Sequence, residues 1–158
     1  MKINENAFKF IFDETLFKPS QVAEDFKPET DIQFIGKNNR KTLIFVSSTN
    51  PKEVISEQSL TFLSKILISV GLTLDDVVVT NHSKDKKLKE YTDTFSPKTI
   101  ISFGIETFEL GIQNIEIPSY EIKDYNGISV LYTDALDKVK EDISKKKALW
   151  INLKQLFN

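Results

Sequence analysis

The sequence predicts an α/β fold, a three-layer α/β/α domain built around a mostly parallel, four-stranded central sheet. Short apolar runs rich in β-branched residues alternate along the chain with segments whose apolar residues recur at helical spacing. The apolar runs show little polar alternation, which is typical of strands covered by helices on both faces. Strands that alternate with helices are joined by right-handed crossovers, and such connections produce a parallel sheet.

The chain of 158 residues divides into an N-terminal arm with its linker, residues 1–30, and a single α/β domain, residues 31–158. The linker, residues 18–30, is polar and contains two prolines. The arm is rich in aromatic side chains and includes Phe8, Phe10, Phe12 and Phe17. These four side chains either fold back onto the sheet and complete its core or dock in a groove of a partner protein.

The strands are predicted from apolar runs that are bounded by turn residues. Four such runs are the core strands, in chain order residues 43–46, 77–79, 99–103 and 128–132. Residues 31–35 are a candidate edge strand. The Asn126-Gly127 pair lies between two β-rich runs, which is the strongest short-range signal for a hairpin. Residues 119–124 are therefore predicted to pair with the fourth strand.

Helices are predicted between and after these strands. The first has one apolar stripe, made of Leu60, Leu63, Leu67 and Val70, and ends at Gly71. Ahead of it, Asn50 fits an N-cap and Pro51 fits the first helical position. Residues 85–95 are predicted as a charged helix or loop, and residues 105–110 as a short helix. The last helix begins near residue 144 and carries on one face Leu149, Leu153, Leu156 and Phe157.

The carboxyl ends of the core strands should meet at one edge of the sheet and form a crevice, where open α/β sheets bind ligands. The residues predicted to line it are Ser47, Ser48, Thr49, Asn50, Pro51, Thr133 and Asp134. Asn81 and His82 end the second strand and should open on the same crevice. We interpret Asn50 as a helix cap and His82, the only histidine, as a surface residue. The alternatives are an Asn50 amide that orients water or the edge of a base, and a His82 that acts as general acid or base.

Composition and motifs argue against several classes of site. The chain has no cysteine, so disulfides, thiolate catalysis and cysteine-ligated metals are excluded, and we expect neither a metal nor a cofactor. Neither of the common phosphate-binding glycine motifs occurs. The net charge of −2 lacks the basic excess of free nucleic-acid binders, so any DNA contact should be indirect or weak. We find no membrane-spanning run and no secretory signal, and we expect a cytoplasmic protein.

Three segments resemble the uracil-DNA glycosylase fold. Residues 62–81 are similar to its helix, turn and second strand, residues 96–104 to its third strand, and residues 130–153 to its fourth strand and final helix. The resemblance implies the three-layer fold. In an active member of this family, it would also imply that Asn50 positions water, that Asn81 reads the base and that His82 assists.

The catalytic loops depart from the glycosylase pattern. Asn50-Pro51 resembles the Asn-Pro pair of the mismatch-specific branch, but it has no flanking glycines. After the fourth strand the chain reads Thr133-Asp134-Ala135-Leu136, where the family has His-Pro-Ser or Asn-Pro-Ser. Base flipping needs a pocket and a group that stabilises the departing base, so we expect the glycosylase chemistry to be absent. A divergent uracil or mismatch glycosylase, or a nucleobase-binding protein, is the alternative.

A second resemblance is to the psi-subunit family of the bacterial DNA polymerase III clamp loader, which has a glycosylase-like fold without the activity. Residues 42–46 followed by Pro51 look like its first strand, and residues 62–80 look like the helix and strand that follow. Residues 135–140 and Ala148-Leu149-Trp150 are similar to its C-terminal pattern. In that family an N-terminal peptide tethers the protein to the clamp-loader core, and the arm of this chain matches it by position only.

The resemblance implies a non-catalytic adaptor that joins protein partners in DNA replication, either clamp-loader subunits or other replication subunits. The expected partner-binding residues are the four phenylalanines of the arm and Trp150. Tryptophan is enriched in the residues that dominate protein interfaces. Trp150 lies at the edge of the apolar stripe of its helix, so it is either a surface anchor for a partner or a core-facing or half-buried residue. A protein with the scaffold and neither role is a third interpretation.

Overall fold

The structure, a computed structural model, describes residues 30–47, 54–82, 86–113 and 115–157. The strands are β1 (Phe34–Ile35), β2 (Thr42–Val46), β3 (Val77–Asn81), β4 (Thr99–Phe103), β5 (Ile122–Tyr125) and β6 (Ile128–Thr133). The helices are α1 (Glu57–Ser69), α2 (Leu88–Phe95), α3 (Thr107–Leu110), α4 (Leu136–Glu141) and α5 (Ile143–Phe157). Within these ranges no helix combines the length and the apolar character needed to cross a bilayer.

The strands of the described residues form one mixed sheet of six strands in the order β1-β3-β2-β4-β6-β5. The four central strands run parallel, while β1 pairs antiparallel with β3 and β5 pairs antiparallel with β6. The α/β class is confirmed, but the prediction of a four-stranded sheet is wrong in strand number. The candidate edge strand and the first arm of the hairpin both join the sheet, one at each edge, because their neighbours still have unpaired backbone groups there.

Helices pack on both faces of this sheet because successive side chains of a buried strand point to opposite sides. One face contacts α1, α4 and α5 through a core cluster that includes Ile44, Val79 and Ile101. The other face contacts α2 and α3 through a second cluster that includes Leu43, Phe45 and Ile100. The burial of every residue of β2 and β4 follows from this double cover.

Local sequence signals set most of the element boundaries. Asn126 and Gly127 have φ values of 52° and 86°, as a two-residue hairpin turn requires, so the predicted hairpin is confirmed. Helix α1 begins after Ser56, whose hydroxyl accepts the Ser59 N–H at 3.2 Å. The N-cap of α1 is therefore Ser56 and not the predicted Asn50, which lies outside the described residues.

Candidate functional site

The carboxyl ends of the four parallel strands lie side by side at one edge of the sheet. The register aligns Asn81 of β3 with Val46 of β2, Val46 with Phe103 of β4, and Phe103 with Thr133 of β6. Ser47 follows Val46 directly and is exposed. The carboxyl ends of these strands therefore meet at one end of the sheet, where the strand order also reverses about β2, as it does at the ligand sites of open α/β sheets.

Asn81 and His82 lie at this edge, but their side chains project to opposite faces of the sheet. Asn81 follows Val79 by two residues, which places it on the α1 and α5 side. The His82 ring packs on the other side, with its centroid 5.8 Å from that of Phe45 and 6.1 Å from that of Tyr91. The half-buried His82 ring thus covers two buried aromatic side chains. Asn81 and His82 therefore do not converge on one ligand.

Asp134 is engaged by side chains from two other segments. Its carboxylate accepts a hydrogen bond from the Tyr120 hydroxyl at 2.9 Å and lies 3.3 Å from the Lys145 ammonium group. The Tyr120 carbonyl in turn accepts an N–H of the Asn152 side chain at 3.0 Å. These contacts tie the end of β6 to α5 and to the turn before β5, so Asp134 joins structural segments at the position where the sequence predicted a crevice wall.

We expect the ionisation of Tyr120 to make the protein less stable at high pH. Burial, and then the hydrogen bond to Asp134, raises the pKa of Tyr120 to about 12 from 10. Between those pH values the unfolded chain releases a proton that the folded chain keeps, so the stabilisation is complete below pH 10 and is lost as the pH rises towards 12. Urea unfolding across this range should lose stability less steeply for Tyr120→Phe than for the wild type.

Asp134→Asn is the companion variant for this experiment, because it removes the acceptor charge and keeps the size of the side chain. We expect part of the late tyrosinate absorbance of the wild type to move to lower pH in Asp134→Asn, and the amplitude of one tyrosine to be lost in Tyr120→Phe. Burial also raises the pKa of Tyr132, so some late absorbance remains in both variants. An unchanged late absorbance in Tyr120→Phe would assign it to another of the four tyrosines.

At the carboxyl end of the parallel strands, the backbone that follows β4 contacts the backbone that leads from β6 into α4. Gly104, with φ of 79°, donates its N–H to the Thr133 carbonyl at 2.9 Å. A Cβ atom at this glycine would lie 2.8 Å from the Ala135 Cβ and 3.0 Å from the Ala135 Cα. Thr133 itself is buried, and its hydroxyl donates to the Asp134 carbonyl at 3.0 Å. This end of the edge therefore has no room for a base between the two loops.

Several predicted site residues lie outside the described residues. They are Ser48, Thr49, Asn50 and Pro51 of the loop after β2, and Phe8, Phe10, Phe12 and Phe17 of the arm. Apart from the capping of α1, for which Ser56 takes the place predicted for Asn50, their expected roles stay predictions. In the described part of the chain, no three His, Asp or Glu side chains come together as the ligands of a metal ion would.

Trp150 lines an apolar groove between α1 and α5 on the outer surface of the domain. The residue is 42% exposed, so Trp150 reaches the surface while more than half of it is covered, and Leu149 beside it is buried in the core. The groove has a volume of about 240 Å³ and is lined by Phe62, Lys65, Ile66, Ser69, Val139, Lys146, Leu149 and Trp150. Two lysines cap its aromatic rings, with the Lys146 Nζ 6.0 Å from the Phe62 centroid and the Lys154 Nζ 4.8 Å from the Trp150 centroid.

A wider depression, of about 630 Å³, lies by the other face of the sheet and includes the basic run at Lys86, Lys87 and Lys89. Two of these three lysines are paired with carboxylates. Lys86 lies 2.8 Å from Asp31 and lowers the pKa of that carboxyl group, and Lys89 lies 2.8 Å from Asp93. The Lys87 contact is different, because its backbone N–H, and not its ammonium group, donates to the Glu90 carboxylate at 2.9 Å at the start of α2. An anionic ligand would have to compete with these carboxylates, which makes this depression a weaker candidate than the groove.

Sequence reasoning missed most of the groove. Its lining comes from a second stripe at helical spacing, Phe62, Ile66 and Ser69 on α1, next to the buried stripe that carries Leu63 and Leu67. The helical spacing of these three residues was the one signal in the sequence that could have predicted the groove. Neither a protein-family model nor a curated protein matches this chain, so the interpretation of its site depends on its own residues and their geometry.

Proposed function

We propose that this protein is a non-catalytic adaptor, similar to the psi subunit of the DNA polymerase III clamp loader, that joins protein partners in a cytoplasmic DNA replication assembly. The observation that carries the proposal is the exposed Trp150 in an apolar groove between two helices. A large aromatic side chain held by a well-packed helix is the usual centre of a protein interface, because it buries much area at little cost in side-chain entropy.

The sheet supports the resemblance on which the proposal draws. A glycosylase-like fold implies a parallel four-stranded sheet with helices on both faces, and the four central strands of this sheet run parallel between two helical layers. The antiparallel strands at the two edges are additions to that core. Because one fold hosts many functions, this likeness supports only the scaffold.

The arrangement of the crevice favours a binding protein over an enzyme. A base-excising enzyme needs polar groups that converge on an empty pocket. Here His82 covers Phe45 and Tyr91, and the Asp134 carboxylate is occupied by Tyr120 and Lys145. His82 and Asp134 therefore pack against or bind other residues of the fold. In these contacts neither side chain is directed at a substrate.

We expect Trp150→Ala to weaken the capture of replication subunits without unfolding the protein. The loss of an interface anchor typically removes about 2 kcal/mol of binding free energy, which corresponds to roughly a thirtyfold weaker complex. The measurement is affinity capture by the full-length tagged chain from lysate, followed by quantification of clamp-loader and polymerase subunits. Phe108→Ala is the matched control, because Phe108 is 68% exposed and lines the wider depression, the weaker candidate, and not the groove.

Two results would contradict the adaptor. One is the absence of any clamp-loader or polymerase subunit from the captured proteins. The other is capture that Trp150→Ala and Phe108→Ala reduce equally, because the groove would then have no special part in binding. Circular dichroism of both variants serves as the test that the fold is intact.

A further inference from the structure

The two helices that form the groove carry a net positive charge. Helix α1 contributes one lysine and α5 contributes four, namely Lys65, Lys145, Lys146, Lys147 and Lys154, against the single acid Glu57. The whole chain has the opposite sign, with a net charge of −2. Among the described residues neither Lys65 nor Lys146 forms an ion pair with a carboxylate. The groove is therefore a basic region on an acidic protein.

The size and the lining of the groove indicate which molecule it accepts. Its volume of about 240 Å³ is below the range of about 300–1,000 Å³ that is usual for small-molecule sites. Phe62, Ile66 and Trp150 give it an aromatic and aliphatic surface, which suits inserted apolar side chains better than a sugar-phosphate backbone. A shallow apolar groove between two helices is also the geometry that receives the apolar face of a third helix.

We propose that the groove binds an acidic amphipathic helix of a partner protein. Its apolar side chains insert between α1 and α5 against Trp150, and its carboxylates face Lys65 and Lys146 at the rim. The inference rests on the proposed adaptor function and names the chemistry of the segment that the adaptor holds. Complementary charge at the rim steers the partner and fixes its register, while the apolar contacts supply most of the affinity.

Trp150 is the only tryptophan of the chain, so its fluorescence reports on the groove directly. The probe is a synthetic helical peptide with leucine at positions i, i+3 or i+4, and i+7, and with glutamate on the flanks. Its control has lysine in place of each glutamate. We expect the glutamate peptide to shift the emission of the full-length protein to shorter wavelength, and the lysine peptide to have no effect. Added salt should weaken the complex.

Charge reversal at the rim separates this proposal from unspecific hydrophobic binding. Lys65→Glu and Lys146→Glu should each raise the Kd of the glutamate peptide about tenfold. Lys98→Glu, an equal change of charge at an exposed residue outside the groove, should leave the Kd unchanged. Equal binding of the two peptides, or no binding of the glutamate peptide, would overturn the proposal.

Other occupants give distinct results in the same assay. Tighter binding of a single-stranded oligonucleotide, of anionic vesicles, or of a peptide with the sequence of residues 7–17 would each reject the partner helix and assign the groove to that molecule. The adaptor function is tested separately by capture. If capture of replication subunits depends on Trp150 but the glutamate peptide does not bind, the adaptor stands and the inferred chemistry of its partner is wrong.

Discussion

Gly36→Ala should destabilise the protein by about 4 kcal/mol or more, a large share of the about 5–15 kcal/mol that stabilises a typical domain. Gly36 follows β1 with φ of 111°, a conformation that side chains rarely adopt. A Cβ atom there would lie 2.0 Å from the Val77 carbonyl oxygen and 2.7 Å from that of Leu74. The Val77 oxygen also accepts the Asn38 N–H at 3.2 Å, so the added methyl group would break that hydrogen bond as well.

Gly71→Ala is the matched control, because it adds the same methyl group at φ of 82° with no atom within 4 Å. Only backbone strain should then remain, about 1–2 kcal/mol. Urea unfolding of both variants isolates the steric part of the loss at Gly36 as the difference between them. Equal losses would mean that the loop after β1 moves away from β3 without penalty.

The same loop illustrates which parts of the fold local sequence could not predict. Thr99–Phe103 and the hairpin at Asn126-Gly127 were predicted correctly, because an apolar run and a turn pair are local signals. The position of Gly36 depends instead on contacts with Val77 that only the folded chain brings together. Likewise, β1 is held by pairing with β3 and by the Thr80 hydroxyl, which donates to the Gln33 carbonyl at 2.7 Å. A strand of two residues has too little sequence pattern to specify its partner.

The candidate site was predictable to the same limited extent. Topology alone brings the ends of β3 and β6 to one edge, so the positions of Asn81 and Thr133 follow from the strand assignment. The hydrogen bond from the Tyr120 hydroxyl to the Asp134 carboxylate was not predictable, because it joins two separate segments. In addition, Tyr120 has φ of 61°, which is unusual for tyrosine. Trp150 lies at the boundary between the two faces of its helix, and its exposure depends on how α5 packs beside α1 and α4.

Gly104→Ala should destabilise the protein by about 3 kcal/mol, through backbone strain and overpacking together. This glycine has φ of 79° and lies where the loops after β4 and β6 meet. Its new Cβ would approach the Ala135 Cβ to 2.8 Å, and Ala135 is fixed as the N-cap residue of α4. A pocket for a base at this position would require the two loops to separate. The hydrogen bond from the Gly104 N–H to the Thr133 carbonyl would then break.

A double-mutant cycle tests whether the close approach of Gly104 and Ala135 keeps the loops after β4 and β6 together. Ala135→Gly alone should be nearly neutral, because glycine is well tolerated at an N-cap. Combined with Gly104→Ala it removes the closest contact, so the double variant should recover about 1 kcal/mol of the loss, and urea unfolding should give a coupling energy of that size. The recovery stays partial because the Ala135 Cα would still lie 3.0 Å away and the strain at φ of 79° remains. If the losses of unfolding free energy were strictly additive, the two loops would separate without penalty. The carboxyl end of the sheet would then be a candidate ligand site again, and the argument for a binding protein over an enzyme would be weaker.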